Sequence, residues 1–327
     1  MPYRLIDDDP DPASVRRLTF VPFLPDGRCM VLPGAGLPSG EVRPGEHYLL
    51  DSCLRIPLET LGFRPQRVHP FAADGDHVYA WLDGDRYTGD RPHASVDAVI
   101  ANVDVLADRL DAAHAAIVRD AARSLGAETD ADYYADNVRM LEPAYLRGTT
   151  PQAGSGFGGD AERWRARREM VVDGMHRAGT FLDVGCANGL LMESVRKWAA
   201  ERGLAIEPYG VDLAPRLVDL ARRRLPRWAG RIEVGNAIDY LPADGRRFTF
   251  VHVLLDTVPR RRRADLIRHA LDTLVEPGGR LLVSHYQSKG GTDLTAVEHL
   301  RELGFDAAGS AHARDSDRGD TTAWLQV

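Results

Sequence analysis

The chain has 327 residues, 44% of them hydrophobic, with 48 acidic against 41 Lys and Arg side chains and a formal net charge of −7. This length suffices for two hydrophobic cores, the lack of any apolar run of about 18 to 20 residues excludes a membrane-spanning helix, and the acidic balance gives no general attraction for nucleic acid, whose affinity rests on phosphate neutralisation. Cys29, Cys53 and Cys186 are odd in number and lack metal-ligand spacing, which argues against a disulfide framework or a metal site, and the acidic start MPYRLIDDDPDP has no apolar signal segment, so the cytoplasm is the expected compartment.

In chain order, Leu18 to Phe23 reads as a strand with an edge-compatible Pro22, turned by Asp26-Gly27 onto Arg28 to Leu32. A second hairpin is expected at Asp83-Gly84, joining His77 to Leu82 with Arg86 to Thr88. The amphipathic pattern Val105 to Leu125 predicts one or two helices. Between the hairpins lies GEVRPGEHYLLDSCLRIPLETLGF, Gly40 to Phe63, whose Gly40, Glu46, Arg55, Glu59, Gly62 and Phe63 resemble a degenerate Nudix box. The resemblance implies a helix whose carboxylates hold magnesium in active members. Here Ile56 and Thr60 take two glutamate positions, Pro57 is expected to interrupt the helix, and one extra residue separates Glu46 from Arg55. Hard cations need several oxygen ligands, so residues 1–125 are expected to form an α+β Nudix-like domain without hydrolase activity. Holding the substrate, packing on a catalytic domain and mediating a homodimer are its open roles.

Residues 126–170 read as linker and lid helices. Glu128 to Thr150 carries Tyr133, Tyr134, Met140 and Tyr145, and the glycine-rich TTPQAGSGFGGD, Thr149 to Asp160, precedes Trp164, Arg165, Arg167 and Arg168. A backbone that permissive suits either a closing lid anchored by Phe157 or a plain linker.

Residues 171–327 hold the most informative stretch, FLDVGCANG. An apolar strand (Phe181, Leu182, Val184) runs into Asp183, Gly185, Ala187 and Gly189 before a helical pattern from Leu190 to Arg202. Small residues let the backbone approach a ligand, and the N–H groups of a helix start face it. Glycines at steps of two depart from the GxGxxG of dinucleotide sites. A second strand, Pro208 to Val211, ends in Asp212, where a carboxylate grips ribose hydroxyls. A helix Ala214 to Leu225 stops at Pro226, and a strand Arg231 to Val234 leads into Gly235, Asn236 and Ala237. The strand Phe248 to Leu254 follows, then Asp256, a helix near Arg260, the turn Glu276 to Gly279, the strand Arg280 to Ser284, the helix Asp293 to Leu303 and the strands Ala307 to Ala313 and Thr321 to Val327. The run Arg260 to Arg263 reads as a solvated first turn. Alternating strands and helices imply a parallel sheet covered on both faces, with an antiparallel edge.

From Thr180 to Val327 this pattern resembles class I S-adenosyl-L-methionine (SAM) methyltransferases, with Ala187 in place of a common glycine. The resemblance implies a Rossmann-like seven-stranded sheet, α/β in class, and a SAM site at Asp183, Gly185, Ala187, Gly189, Asp212, Leu213, Asn236 and Ala237. Open α/β sheets bind ligands at the carboxyl ends of their strands, which makes Asp256 and His285 the candidate catalytic bases, whereas His252, inside its strand, reads as a core histidine. LLDTVP at 254–259 has neither the NPPY nor the Pro-Cys motif of nucleic-acid methyltransferases, so a small-molecule acceptor is expected. A nucleotide-diphosphate hydrolase with a SAM-sensing domain and a non-catalytic SAM-binding scaffold are the alternatives.

Overall fold

A computed structural model describes residues 3–327 apart from 7–9, 25, 33, 35, 87–97, 287–293 and 315–318. It divides into two compact units that part between Met140 and Leu141.

The first unit is built on a mixed sheet. Its strands are β1 (Arg4–Leu5), β2 (Arg17–Phe23), β3 (Cys29–Val31), β4 (Ser39–Glu41), β5 (Phe63–Asp74), β6 (His77–Arg86) and β7 (Val99–Ala101), ordered β1-β5-β6-β2-β3-β7 with β4 also on β2. Only the central β2–β6 pair is parallel among the described pairs. Period-two alternation sends Leu18, Phe20, Val78, Ala80 and Leu82 to one face, where they meet Ile56 and Leu61 of α1 (Cys53–Leu61). Val21, Phe23, Tyr79 and Trp81 go to the other, against Leu106 of α2 (Val103–Ala107) and Ile117, Val118 and Ala121 of α3 (Ala112–Gly126). Both faces are covered, which is why these strands read as nearly continuous apolar runs.

Two local expectations are corrected. Asp83 and Gly84 do not turn the chain; they stay inside β6, opposite Arg67 and Pro65 of β5, and the hairpin instead closes between Asp74 and His77. Gly75 there has φ +58°, the left-handed region that a two-residue hairpin turn demands. The expected partner strand from Arg86 extends to Thr88, and 87–88 lie outside the described residues. Pro57 does not break its helix either: its missing N–H would have bonded the carbonyl of Cys53, the first residue of α1, so one terminal bond is forgone and the remaining turns persist.

The helix α4 (Asp130–Leu146) starts in the first unit and ends in the second. The second unit continues with α5 (Ala161–Arg168), β8 (Gly179–Val184), α6 (Leu190–Glu201), β9 (Ile206–Asp212), α7 (Pro215–Arg224), β10 (Ile232–Val234), β11 (Phe248–Leu254), α8 (Arg263–His269), β12 (Val275–His285), α9 (Ala296–Glu302), β13 (Gly309–His312) and β14 (Thr321–Gln326). Its seven strands lie in the order β10-β9-β8-β11-β12-β14-β13. The pairs from β10 to β12 are parallel, and β14 inserts antiparallel between β12 and β13. Residues 276–279, expected as a turn, instead open β12 as an irregularity in its pairing: Phe248 faces Val275, and the register resumes with Phe250 opposite Arg280. The chain enters at β8, winds outward through β9 and β10, and returns to β11 on the opposite side. That reversal leaves a crevice at the carboxyl ends of β8 and β11.

Candidate functional site

The crevice is framed by the turn after β8. Phe181, Leu182 and Val184 are buried and anchor the strand, and the chain then leaves the sheet at Gly185, which is exposed and has φ +82°. A Cβ at Gly185 would sit 3.2 Å from Thr257 Cγ2 in a conformation that L side chains rarely adopt. Ala187, at φ +47°, is the one non-glycine residue with positive φ among those described. The turn is tied to the end of β9: Gly185 and Cys186 donate to the Val211 carbonyl at 2.8 and 3.1 Å. Asp212 completes the tie, accepting from Ala187 N at 2.8 Å through Oδ2 and from Ala214 N at 2.9 Å through Oδ1. Burial raises its carboxyl above the ordinary value, and these two N–H groups oppose that rise. Each oxygen keeps a further lone pair for a ligand hydroxyl.

The other predicted cofactor residues lie on the same side. Leu213 follows Asp212 directly, and after β10 the Asn236 side chain caps the next turn, accepting from Ile238 N at 3.3 Å, beside the buried Ala237. All eight therefore cluster at the carboxyl ends of three adjacent parallel strands.

Asp183 has a different role from an open ligand. It is 2% exposed, and its Oδ1 meets His252 Nδ1 at 2.9 Å. The other imidazole nitrogen lies 3.0 Å from Ser284 Oγ, which lies 2.7 Å from Thr322 Oγ1. A buried polar chain thus crosses four neighbouring strands, β8, β11, β12 and β14, with the Tyr286 hydroxyl 3.4 Å from His252 at its edge. In the pairing register His252 stands opposite Asp183, and Ser284 opposite Thr322. The strand position of His252 was read as core, and the residue is buried, but as a hydrogen-bonded link rather than an apolar filler.

Of the two candidate bases, Asp256 lies exposed on the short turn Leu255–Thr257 that follows β11. Its charge reaches the Tyr145 hydroxyl, which burial, Asp256 and Asp212 together push up to about 12. His285 ends β12, with its ring edge-on to His299 of α9 at 4.7 Å.

Sequence reasoning passed over Asn188, although it lies inside the motif. Its buried side chain accepts from Ser155 Oγ at 2.6 Å and donates to the Pro151 carbonyl at 2.8 Å, fastening the segment 149–160 to the turn. Phe157 of that segment is buried, edge-on to Trp164 at 5.3 Å. Tyr145 is named in the sequence only as one of the aromatics of the linker-and-lid stretch, and Tyr286 is not singled out at all. No spacing rule links either to the motif, because only the packing of distant segments brings them there.

Residues 181–279 match the family model described as a methyltransferase domain. The ubiquinone biosynthesis O-methyltransferase of Coxiella burnetii is 31% identical over 120 residues, 36% of this chain and 46% of that protein; the chain thus spans about half the length of the curated relatives it matches. Among solved structures, a SAM-dependent methyltransferase from Aquifex aeolicus aligns at 15% identity over 51% of this chain and 94% of its own, with a TM-score of 0.37. One from Thiobacillus denitrificans, in complex with S-adenosyl-L-homocysteine, aligns at 20% identity over 54% and 72%, with a TM-score of 0.34.

Proposed function

We propose that this chain, whose residues 181–279 make a class I SAM-dependent methyltransferase domain, methylates a small-molecule acceptor bound above β11 and β12. The carrying observation is the double hydrogen-bonded clasp of Asp212, which joins the glycine turn to the end of β9 and uses only one lone pair on each carboxylate oxygen. This donor set fits SAM: Asp212 would take the ribose hydroxyls, the exposed backbone at Gly185 would receive the amino-acid moiety, and Asn236 with Ala237 would receive the adenine. When bound, SAM supplies an electrophilic methyl on a cationic sulfonium. The protein's part is alignment, exclusion of water and, where the acceptor requires it, proton removal. Asp256 is the preferred base because it is accessible at the end of β11, and His285 is the alternative at the end of β12. Phe157 and the segment around it close the site.

In this reading the first unit is an accessory Nudix-like domain. Its support is local: the loop and helix from Gly40 to Phe63 pack on a mixed sheet, and the two retained acidic side chains are already engaged. Arg55 grips Glu46 at 2.6 and 2.7 Å and reaches Glu59 at 3.3 Å. The test of the whole reading is calorimetry with SAM. Asp212→Ala is expected to weaken binding at least tenfold, about 1.4 kcal/mol; unchanged affinity would remove the ribose assignment.

A further inference from the structure

Two arginines at the end of α5 share one buried carboxylate. Asp320 is held side-on by Arg167, through its Nε and through Nη2 at 2.6 Å. Arg168 is left with the weaker contact, Nη1 to Asp320 at 3.4 Å, and a 3.3 Å bond from the same nitrogen to the Arg167 carbonyl. Its guanidinium is enclosed by aromatic faces: Tyr286 at 3.4 Å, Phe157 at 5.3 Å and Trp164 at 5.4 Å from the ring centroids.

Arg168 is only 8% exposed, yet its Nε and Nη2 have no acceptor among the described residues. Neither nitrogen is among the fully enclosed side-chain atoms that lack a partner, so this edge of the guanidinium keeps an opening through which a ligand can reach it. The unmet pair is the side-on edge, Nε–H and Nη2–H, whose parallel donors match the two oxygens of a carboxylate. Its surroundings place it by the site: the charge of Arg168 acts on the Tyr145 hydroxyl together with those of Asp212 and Asp256. Its ring neighbour Tyr286 follows β12 and touches His252.

We infer that the Nε–Nη2 edge of Arg168 is a carboxylate-binding subsite of the methyl-transfer crevice. The inference rests on the function proposed above. Two sources offer that chemistry, the amino-acid carboxylate of the cofactor and an acidic group on the acceptor. Stacking on Tyr286 at the β12 side of the sheet, away from Asp212 and Asn236, suits the acceptor, and the segment carrying Phe157 closes over the same guanidinium.

Calorimetry with four probes separates the outcomes: S-adenosylhomocysteine, methylthioadenosine (which lacks the amino-acid end), a panel of small carboxylic acids, and the matching amides. In wild type at least one acid is expected to bind tenfold more tightly than its amide, and Arg168→Met is expected to erase that preference while both nucleosides bind as before. If the cofactor is the source, Arg168→Met weakens S-adenosylhomocysteine tenfold and leaves methylthioadenosine unchanged. Neither effect, or an acid preference that survives in Arg168→Met, overturns the subsite. Should Arg168→Met fail to fold, Arg168→Lys keeps the charge but loses the fork, and the same comparisons decide. Failure of wild type to bind S-adenosylhomocysteine would instead overturn the cofactor reading, and the acid–amide comparison on the ligand-free protein still judges Arg168.

Discussion

Ala187 occupies a left-handed conformation that costs an L-residue roughly 1 to 2 kcal/mol. Its N–H bond to Asp212 holds it there. Replacing the methyl with hydrogen removes the steric cost and leaves that bond intact, although glycine gains freedom in the unfolded chain. Ala187→Gly is therefore expected to raise stability by about 1 kcal/mol, visible as a higher midpoint in chemical denaturation, with SAM affinity changed by less than about threefold. A loss of stability would mean that the methyl packs usefully in the turn.

Within single elements, charge and side-chain ties govern two outcomes. In the first unit, Arg55 bonds Glu46 through two nitrogens and Ser52 adds its hydroxyl at 2.7 Å. The Arg55 bond, seconded by Ser52, pushes the Glu46 carboxyl down from 4.5 to about 2 against the opposing effect of burial. A depressed folded-state value gives stability that is fully present above the unfolded one and is lost as protons bind the folded form. Denaturation midpoints should thus fall as pH drops from about 4.5 towards 2, and Glu46→Gln should remove that part of the dependence. In the second unit, Asn188 ties the segment 149–160 to the cofactor turn through Ser155 and Pro151. Asn188→Ala is expected to speed amide exchange across 149–157 at least tenfold and to leave α6 protected. If exchange is unchanged, Phe157 and Trp164 alone hold the segment down.

For the whole molecule, one expectation separates the methyl-transfer reading from hydrolysis. A magnesium-dependent hydrolase needs several carboxylate oxygens free to ligate, whereas here Glu46 and Glu59 both pair with Arg55, and Ile56, at a glutamate position of the box, is buried against Gly40. Nucleoside-diphosphate turnover should stay at background with magnesium present, and Glu59→Gln should not alter it. Turnover abolished by that substitution would make the first unit an enzyme in its own right.

The local code of the second unit was readable because its strands are short and apolar, its helices begin after small or polar turn residues, and the glycine turn needs backbone geometry that few residues adopt. Asp183, Gly185, Asp212 and Asn236 follow from that pattern, since each stands at a strand end fixed by its own neighbourhood. Tertiary structure decided what depends on distant segments. The turn at Gly75 rather than Asp83-Gly84 was set by the long pairing of β5 with β6. The conversion of His252 from a core residue into a link between Asp183 and Ser284 was set by strand register. Arg168 and Tyr286, 118 residues apart in the chain, meet face to face only because α5 and the end of β12 converge. Period and turn chemistry are properties of a few consecutive residues, but a buried charge acquires its partners from the folded whole.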